Sequence, residues 1–458
     1  MDDGRATRPR SRRRLAIGGI CVVLVIAAGS CLEAGAPAPD PLPSAESPPP
    51  GPRGEPVASS WLLDEPTRGS LASDRPFVEG VRELPWSSGP TELTPDGQEL
   101  RGPPEPPPER RTVVFAGDVP GGRWAVVVGP VDYGSVPGLP SEVAAQPDVA
   151  AMVFTGPRGA APEELRSTGG VNLVPADWRP ALVDPTTGTL LVVPRPGDEV
   201  EVSERPEIAA DGSGTRDYRK VEITDGVALV RLPTTGQSNW SATFRLLRQG
   251  RPQSELFPWP VTMPDGAVPD LSIGFPRGEP SPTGRAVAAR TAEQVLAEVG
   301  LPSEDLQVAA QWVGSVPEWG AGEVAVVTVT LPSGAVVVSA QVHGPDQGEG
   351  SSISGICGRA VLPAGPPASR RLYALTCDVF DVQDGETRGT SLVVVAPRDV
   401  TLVRTYSGNR VFLGEHTAVD GVVVVPLARN TDSVEAVLPG GISLGRVDVL
   451  GYAEVLGD

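Results

Sequence analysis

The chain has 458 residues, a formal net charge of −19, and 52 prolines and 54 glycines beside 21% charged residues. That length allows about two to four domains with cores large enough to fold without staples, and the load of turn formers favours many short strands over long helices. An acidic body repels phosphate backbones, which excludes nucleic-acid binding by the folded part, while the same acidity keeps an exported protein soluble.

Residues 1–14 run against the overall charge. Arg5, Arg8, Arg10, Arg12, Arg13 and Arg14 outweigh Asp2 and Asp3 and form a basic cytoplasmic stub. Residues 15–32 follow without a charge or a proline. At ~1.5 Å per residue they reach roughly 27 Å, close to one hydrocarbon core. Positive flanks stay cytoplasmic, so everything after residue 32 is expected outside, and the membrane is an expected partner through this segment. Three fates are open for it. It can remain a single-pass anchor, or be cleaved at the small-residue site Ala34-Gly35-Ala36. Alternatively Cys31 is lipidated, because Ala28-Gly29-Ser30-Cys31 resembles a bacterial lipoprotein box, with Ala28 where that pattern prefers leucine. Ser11-Arg12-Arg13-Arg14-Leu15 also resembles a twin-arginine export signal.

Residues 33–58 are proline-rich and poor in core formers, and read as a disordered tether that holds the body away from the bilayer. A first repeat is expected over 59–263, with a helix at Ser73–Leu84 and a proline-rich insert at 102–108. A linker over 264–283 precedes a second repeat, 284–458, which opens with a helix at Gly284–Val299. There Val287, Val295, Leu296 and Val299 recur at helical spacing, and Gly300 with Pro302 stops the run. The halves share four anchors in order: 111–129 with 323–342, 190–202 with 392–403, 225–232 with 420–427, and 241–251 with 433–446. Asp225-Gly226 and Asp420-Gly421 lie between β-like runs, the strongest short-range hairpin signal, because glycine tolerates the positive φ of such turns. The fold class is therefore mainly β: two tandem, internally duplicated antiparallel β domains of sandwich or meander type, each preceded by one short helix.

Cys357 and Cys377 are the cysteines outside the N-terminal segment, twenty residues apart. Their spacing is not C-x-x-C, and a disulfide closing that loop is expected to stabilise by roughly 3 kcal/mol. The chemical inventory is otherwise thin. His343 and His416 are the only histidines, and Gly350–Gly355 is a serine-rich loop rather than a nucleophile elbow. Asp211–Asp217 with Glu222 has oxygen ligands at alternate places, but Arg216 occupies the position where a calcium loop needs glycine, so a polar hairpin is expected. Eight tryptophans are spread over both halves, as core or as aromatic platforms. No catalytic, metal or cofactor residue is assigned. The expectation is a membrane-tethered extracytoplasmic protein with a binding or envelope-structural role and an envelope or protein partner. The alternative is a secreted hydrolase, for example carbohydrate-active, that works through acidic residues.

Overall fold

A computed structural model describes residues 60–86, 92–93, 99–100, 105–131, 149–175, 177–233, 241–261, 271–316, 323–346, 352–380 and 387–451. The basic stub, the apolar run with Cys31, the Ala34–Ala36 site, the whole tether, Trp240 and Trp319 lie outside the described residues. No helix among those residues is long and apolar enough to cross a membrane.

The protein is mainly β. In the first repeat a single turn, α1 (Trp61–Asp64), and helix α2 (Arg75–Glu83) precede strands β1 (Thr112–Val119), β2 (Gly122–Pro130) and β3 (Val149–Gly156). There follow β4 (Ala181–Asp184), β5 (Thr189–Val192), β6 (Asp198–Ser203), β7 (Pro206–Ile208), β8 (Gly214–Arg216), β9 (Arg219–Val221), β10 (Val227–Arg231), β11 (Thr243–Arg248), β12 (Arg251–Leu256) and β13 (Trp259–Pro260). The second repeat opens with α3 (Pro282–Val299) and runs through β14 (Gln307–Ser315), β15 (Glu323–Thr330), β16 (Val336–Asp346), β17 (Ser352–Leu362), β18 (Tyr373–Phe380) and β19 (Thr387–Val395). It ends with β20 (Leu402–Tyr406), β21 (Phe412–Thr417), β22 (Val422–Pro426), β23 (Ser433–Val437) and β24 (Ser443–Asp448).

Both helices start and stop where their sequences demand. Asp74 caps α2 by accepting from the Phe77 N–H at 3.2 Å, and Ser281 caps α3 by accepting from the Gly284 N–H at 2.9 Å. Gly300 ends α3 at φ +66°, a left-handed position that glycine adopts at no steric cost. Each helix lies on a sheet face. Phe77, Val78 and Val81 pack on Val113, Ala125 and Val127, and Val287, Val295, Leu296 and Val299 pack on Ala325, Val327 and Val329. Every fully buried valine or leucine here contributes about 1.5–3 kcal/mol.

Alternate residues of the same strands face the other way. Val114, Trp124, Val126 and Val128 meet Leu182, Leu191, Val193 and Val227 of a second sheet; Val324, Val326 and Val338 meet Tyr373, Leu375, Val393 and Val395. The second sheet then buries its far face on a third, through Leu190, Val192 and Val230 against Val200, Phe244 and Leu246, and through Leu392 and Val394 against Val403, Val434 and Ala436. Each repeat is thus four layers, one helix and three layers of strands, the first two of which in the second repeat are one curled seven-stranded sheet, and two-sided burial explains why the inner strands read as unbroken valine runs.

The strand orders agree between repeats. The third sheet is β9-β6-β11-β12 in the first and β21-β20-β23-β24 in the second, and β10-β5-β4 answers β22-β19-β18. Even a register slip recurs, between Arg245 and Leu247 of β11 and between Glu435 and Val437 of β23. One expected match moves. Arg68 exchanges backbone bonds with Val114 and Ala116 of β1, and Gly274 makes the same pair with Val308 and Ala310 of β14. The counterpart of β1–β2 is therefore β14–β15 rather than β15–β16, because the order is fixed by the chain entering before the helix, not by the valine-rich hairpins that resemble one another. The described part of the expected linker, 271–283, belongs to the second repeat, residues 271–281 through these bonds and 282–283 as the start of α3. The β7–β8 ribbon, without a counterpart among the described residues of the second repeat, joins the two halves: the Ala364 N–H donates to the Ala210 carbonyl at 2.6 Å, and Ile208 packs on the core beneath α3.

Candidate functional site

Cys357 and Cys377 are bonded, with Cα atoms 4.1 Å apart, and both side chains are buried. They form the sole register pair between β17 and β18. Beyond them the strands part, and the chain near the C-terminus enters the gap. Leu450 donates to the Ala374 carbonyl and accepts from the Thr376 N–H at 2.8 and 2.9 Å, while the Gly451 carbonyl accepts from the Arg359 N–H at 3.1 Å. The wedge has a counterpart in β13, which runs parallel to β4 just as Leu450 runs parallel to Leu375, but among the described residues no strand pairs with the other side of β13. The cystine pins the point at which the second repeat's sheet splits. A disulfide is what an oxidising compartment permits, and on its own is a weak pointer to the exterior.

The two Asp-Gly turns are two-residue loops with positive φ at both positions, 51° and 76° at Asp225-Gly226 and 53° and 75° at Asp420-Gly421. An arginine closes each. The Arg68 guanidinium donates to the carbonyls of Pro194 and Gly226, and that of Arg277 to Ala396, Asp420 and Gln311. Register makes Pro194 and Ala396 counterparts, so the same clamp is built twice. In the second repeat Asp420 also pairs with Arg398 at 2.6 Å and with Arg277 at 3.3 Å. Burial alone would raise its carboxyl, but the two guanidiniums outweigh that and hold it below the ordinary value.

Across the outer face of each third sheet runs one row of charges. In register it reads Lys220, Glu201, Arg245, Glu255 in the first repeat and Glu415, Arg404, Glu435, Arg446 in the second. Every sign is inverted. Arg245 meets Glu201 at 2.6 Å, and Arg404 meets Glu415 at 2.8 Å. Hydrogen bonds from the hydroxyls of Ser443 and Tyr406 hold the Glu435 carboxyl below its ordinary value.

A different arrangement surrounds Trp61. The guanidiniums of Arg68, Arg179 and Arg195 stand 5.5, 5.5 and 5.2 Å from its ring centroid. Its indole N–H donates to the Trp178 carbonyl at 3.0 Å, and the Trp178 ring stacks on Trp259 with centroids 4.9 Å apart, tilted by 34°. Arg68 is tied to Glu65 at 2.9 Å. Arg179 reaches only the Trp178 carbonyl, at 3.3 Å, and the buried Arg195 Nε has no hydrogen-bond partner among the described residues. Burial, and then the Arg195 charge, push the Arg179 guanidinium down from its ordinary value. Sequence reasoning missed this cluster. Trp178-Arg179 is the one adjacency that hinted at it, since its other members come from four separate stretches.

The residues weighed beforehand do not converge. His416 is half-buried and opposite Val403, and His343 lies in β16, remote in sequence and in another sheet. The Asp211 carboxylate accepts from the Ser213 N–H and hydroxyl at 2.9 and 2.6 Å, the bonds of a polar hairpin loop. Gly350 and Ser351 lie outside the described residues. Burial raises the Glu293 carboxyl on α3, while the lowered carboxyls of Asp118, Asp420 and Glu435 face arginines or hydroxyls. A hydrolytic pair needs a raised and a lowered carboxyl across one cleft. A groove of about 630 Å³ in the second repeat is lined by Gln307, Ala309, Gln311, Thr328, Phe275 and Pro367 without a carboxylate, whereas one of about 590 Å³ beside α2 carries Asp74, Glu83 and Glu163 together with Arg123.

No protein-family model matches the chain, and comparison with curated proteins returns no match. Among solved structures it is similar to the crystal structure of a tetra-tandem repeat in the extending region of a large adhesion protein, 13% identical over 79% of this chain and 97% of that one, with a TM-score of 0.12. A likeness of that degree bears on neither fold nor function.

Proposed function

We propose that this is a membrane-tethered extracytoplasmic protein whose duplicated β body binds a component of the envelope. The observation that carries the binding reading is the Trp61 cluster, where Arg179 and Arg195 stand on one indole without a carboxylate like the Asp420 that Arg277 and Arg398 share in the second repeat. What supports the tethering is the arginine-flanked apolar run 15–32 followed by the proline-rich stretch 33–58, together with a buried cystine in the body. A single-pass anchor with a cytoplasmic N-terminus is the form proposed, with lipidation at Cys31 or cleavage after Ala36 as the competing fates.

Intact mass and N-terminal analysis of protein from membranes and from the medium separates these fates, and protease added to intact cells should digest the body. A body protected until the cells are lysed would end the extracytoplasmic reading. Saturable hydrolysis of wall polysaccharide or peptide by the purified protein would replace binding with catalysis.

A further inference from the structure

Three cations on one indole need a reason. Like charges held close repel, and each partly desolvated guanidinium costs free energy unless it gains hydrogen bonds or an opposite charge. Around Trp61 the carboxylates are few. Glu65 is taken by Arg68, and Asp198 is held by Arg248 through two bonds of 2.8 and 2.9 Å. The exposed Asp177 is the remaining one that acts on Arg179. Arg195 makes no hydrogen bond or ion pair among the described residues, and its Nε is shut off from water. The buried guanidiniums of Arg216 and Arg359 are offset by Glu255 and Glu298, whereas no carboxylate among the described residues pairs with Arg195, which leaves its desolvation without a compensating charge.

The second repeat shows what the neutral version of this corner looks like. There the clamp arginine, Arg277, and Arg398 share the Asp420 carboxylate. Pro397 stands at the register counterpart of Arg195, and among the described residues neither Arg277 nor Arg398 stands over a tryptophan ring as Arg68 and Arg195 do. The same backbone therefore tolerates a charge-balanced corner, and the first repeat carries excess positive charge in a chain whose net charge is −19.

We propose that Arg179 and Arg195, gathered on Trp61 beside the stacked Trp178 and Trp259, form a binding site for an anionic saccharide. The guanidiniums take its phosphate or carboxylate oxygens through charge-assisted bonds, for which their planar forks are suited. The half-buried indole pair offers an apolar, electron-rich surface to the C–H face of the sugar ring. Arg68 positions the site: tied to Glu65 and to the Pro194 carbonyl, it holds the strand end that carries Arg195.

This deepens the binding reading above and is tested independently of where the protein resides. The full chain in neutral detergent is titrated with a phosphorylated disaccharide, an oligogalacturonate, the unmodified disaccharide and inorganic phosphate, following tryptophan emission. Saturable binding of the phosphorylated sugar, the uronate or both, at least tenfold tighter than the unmodified disaccharide and weakened by salt, is expected; which of the two binds identifies the anion. Arg195→Gln and Arg179→Gln should each weaken binding tenfold or more, and Arg398→Gln should leave it unchanged. Thermal melts guard against misfolding, since removing the Arg195 charge should not lower the midpoint. The proposal is overturned if the unmodified disaccharide binds equally well, if inorganic phosphate alone binds as tightly as the sugar, if neither variant weakens binding, or if no anion saturates. Failure with anions beside clear binding of an uncharged envelope component would spare the binding reading and sink this site.

Discussion

Gly358→Ala isolates the wedge that splits the second repeat's main sheet. Gly358 follows the cystine on β17, and a Cβ there would collide with the Leu450 carbonyl oxygen and carbon. Backbone is what it meets, so no side chain can rotate aside. The inserted segment would have to leave or shift, and three backbone bonds depend on it: Leu450 with Ala374, Leu450 with Thr376, and Gly451 with Arg359. At about 1 kcal/mol net for each, with some lost packing of the half-buried Leu450, the substitution should cost about 3 kcal/mol. Urea unfolding followed by circular dichroism measures it, alongside a variant lacking residues 449–458. Both changes remove the same contacts, so their costs should be far from additive when combined. A Gly358→Ala protein within about 0.5 kcal/mol of the parent, or a double variant showing the full sum, would refute the wedge.

Replacing Cys357 and Cys377 by serine should lower stability by about 3 kcal/mol, as should a reductant strong enough to open the buried bond, read as a shift in the same unfolding curve. Arg404→Glu sets like charges side by side and should lower the melting midpoint, whereas inverting all four of Glu415, Arg404, Glu435 and Arg446 should restore it, because the first repeat already carries that sign pattern. Acid should weaken the fold. The carboxyls of Asp118, Asp420 and Glu435 lie below their unfolded values, so their contribution is complete above about pH 4 and is lost as pH falls through the folded values. Melting midpoints measured between pH 6 and 3 should drop, and Asp420→Asn should flatten part of the slope.

What the sequence carried plainly was local. The Asp-Gly turns, the capped helix ahead of each half and the cysteine pair each depend on residues near one another in the chain, and each stands where their chemistry put it. Long-range register was less legible. The hairpins β1–β2 and β15–β16 look alike because both are valine runs around a proline-glycine turn, and only the bonds from Arg68 and Gly274 decide which strands correspond. The inverted charge rows are invisible until that register is known. The Trp61 cluster was hidden for a related reason: Trp61, Arg68, Trp178 with Arg179, Arg195 and Trp259 are ordinary residues until four layers fold them together.

Duplication makes each half a control for the other. The layers, the strand order and the arginine clamp recur, so these belong to what the fold requires. Differences concentrated beside the clamp then report something else. In the second repeat Asp420 binds two arginines, and in the first three arginines crowd one tryptophan. If both corners served only stability, removing a charge from either should hurt. The geometry predicts opposite signs instead. Asp420→Asn strips Arg277 and Arg398 of their shared partner and should lower the melting midpoint, because an unpaired, partly buried cation is left behind. Arg195→Gln removes a cation that has no carboxylate to lose among the described residues and relieves repulsion on Arg179, which offsets the lost contact with the Trp61 ring, so its midpoint should hold or rise. A fall in both would mean that Arg195 is structural, and that the first repeat's corner is only a less tidy copy of the second's.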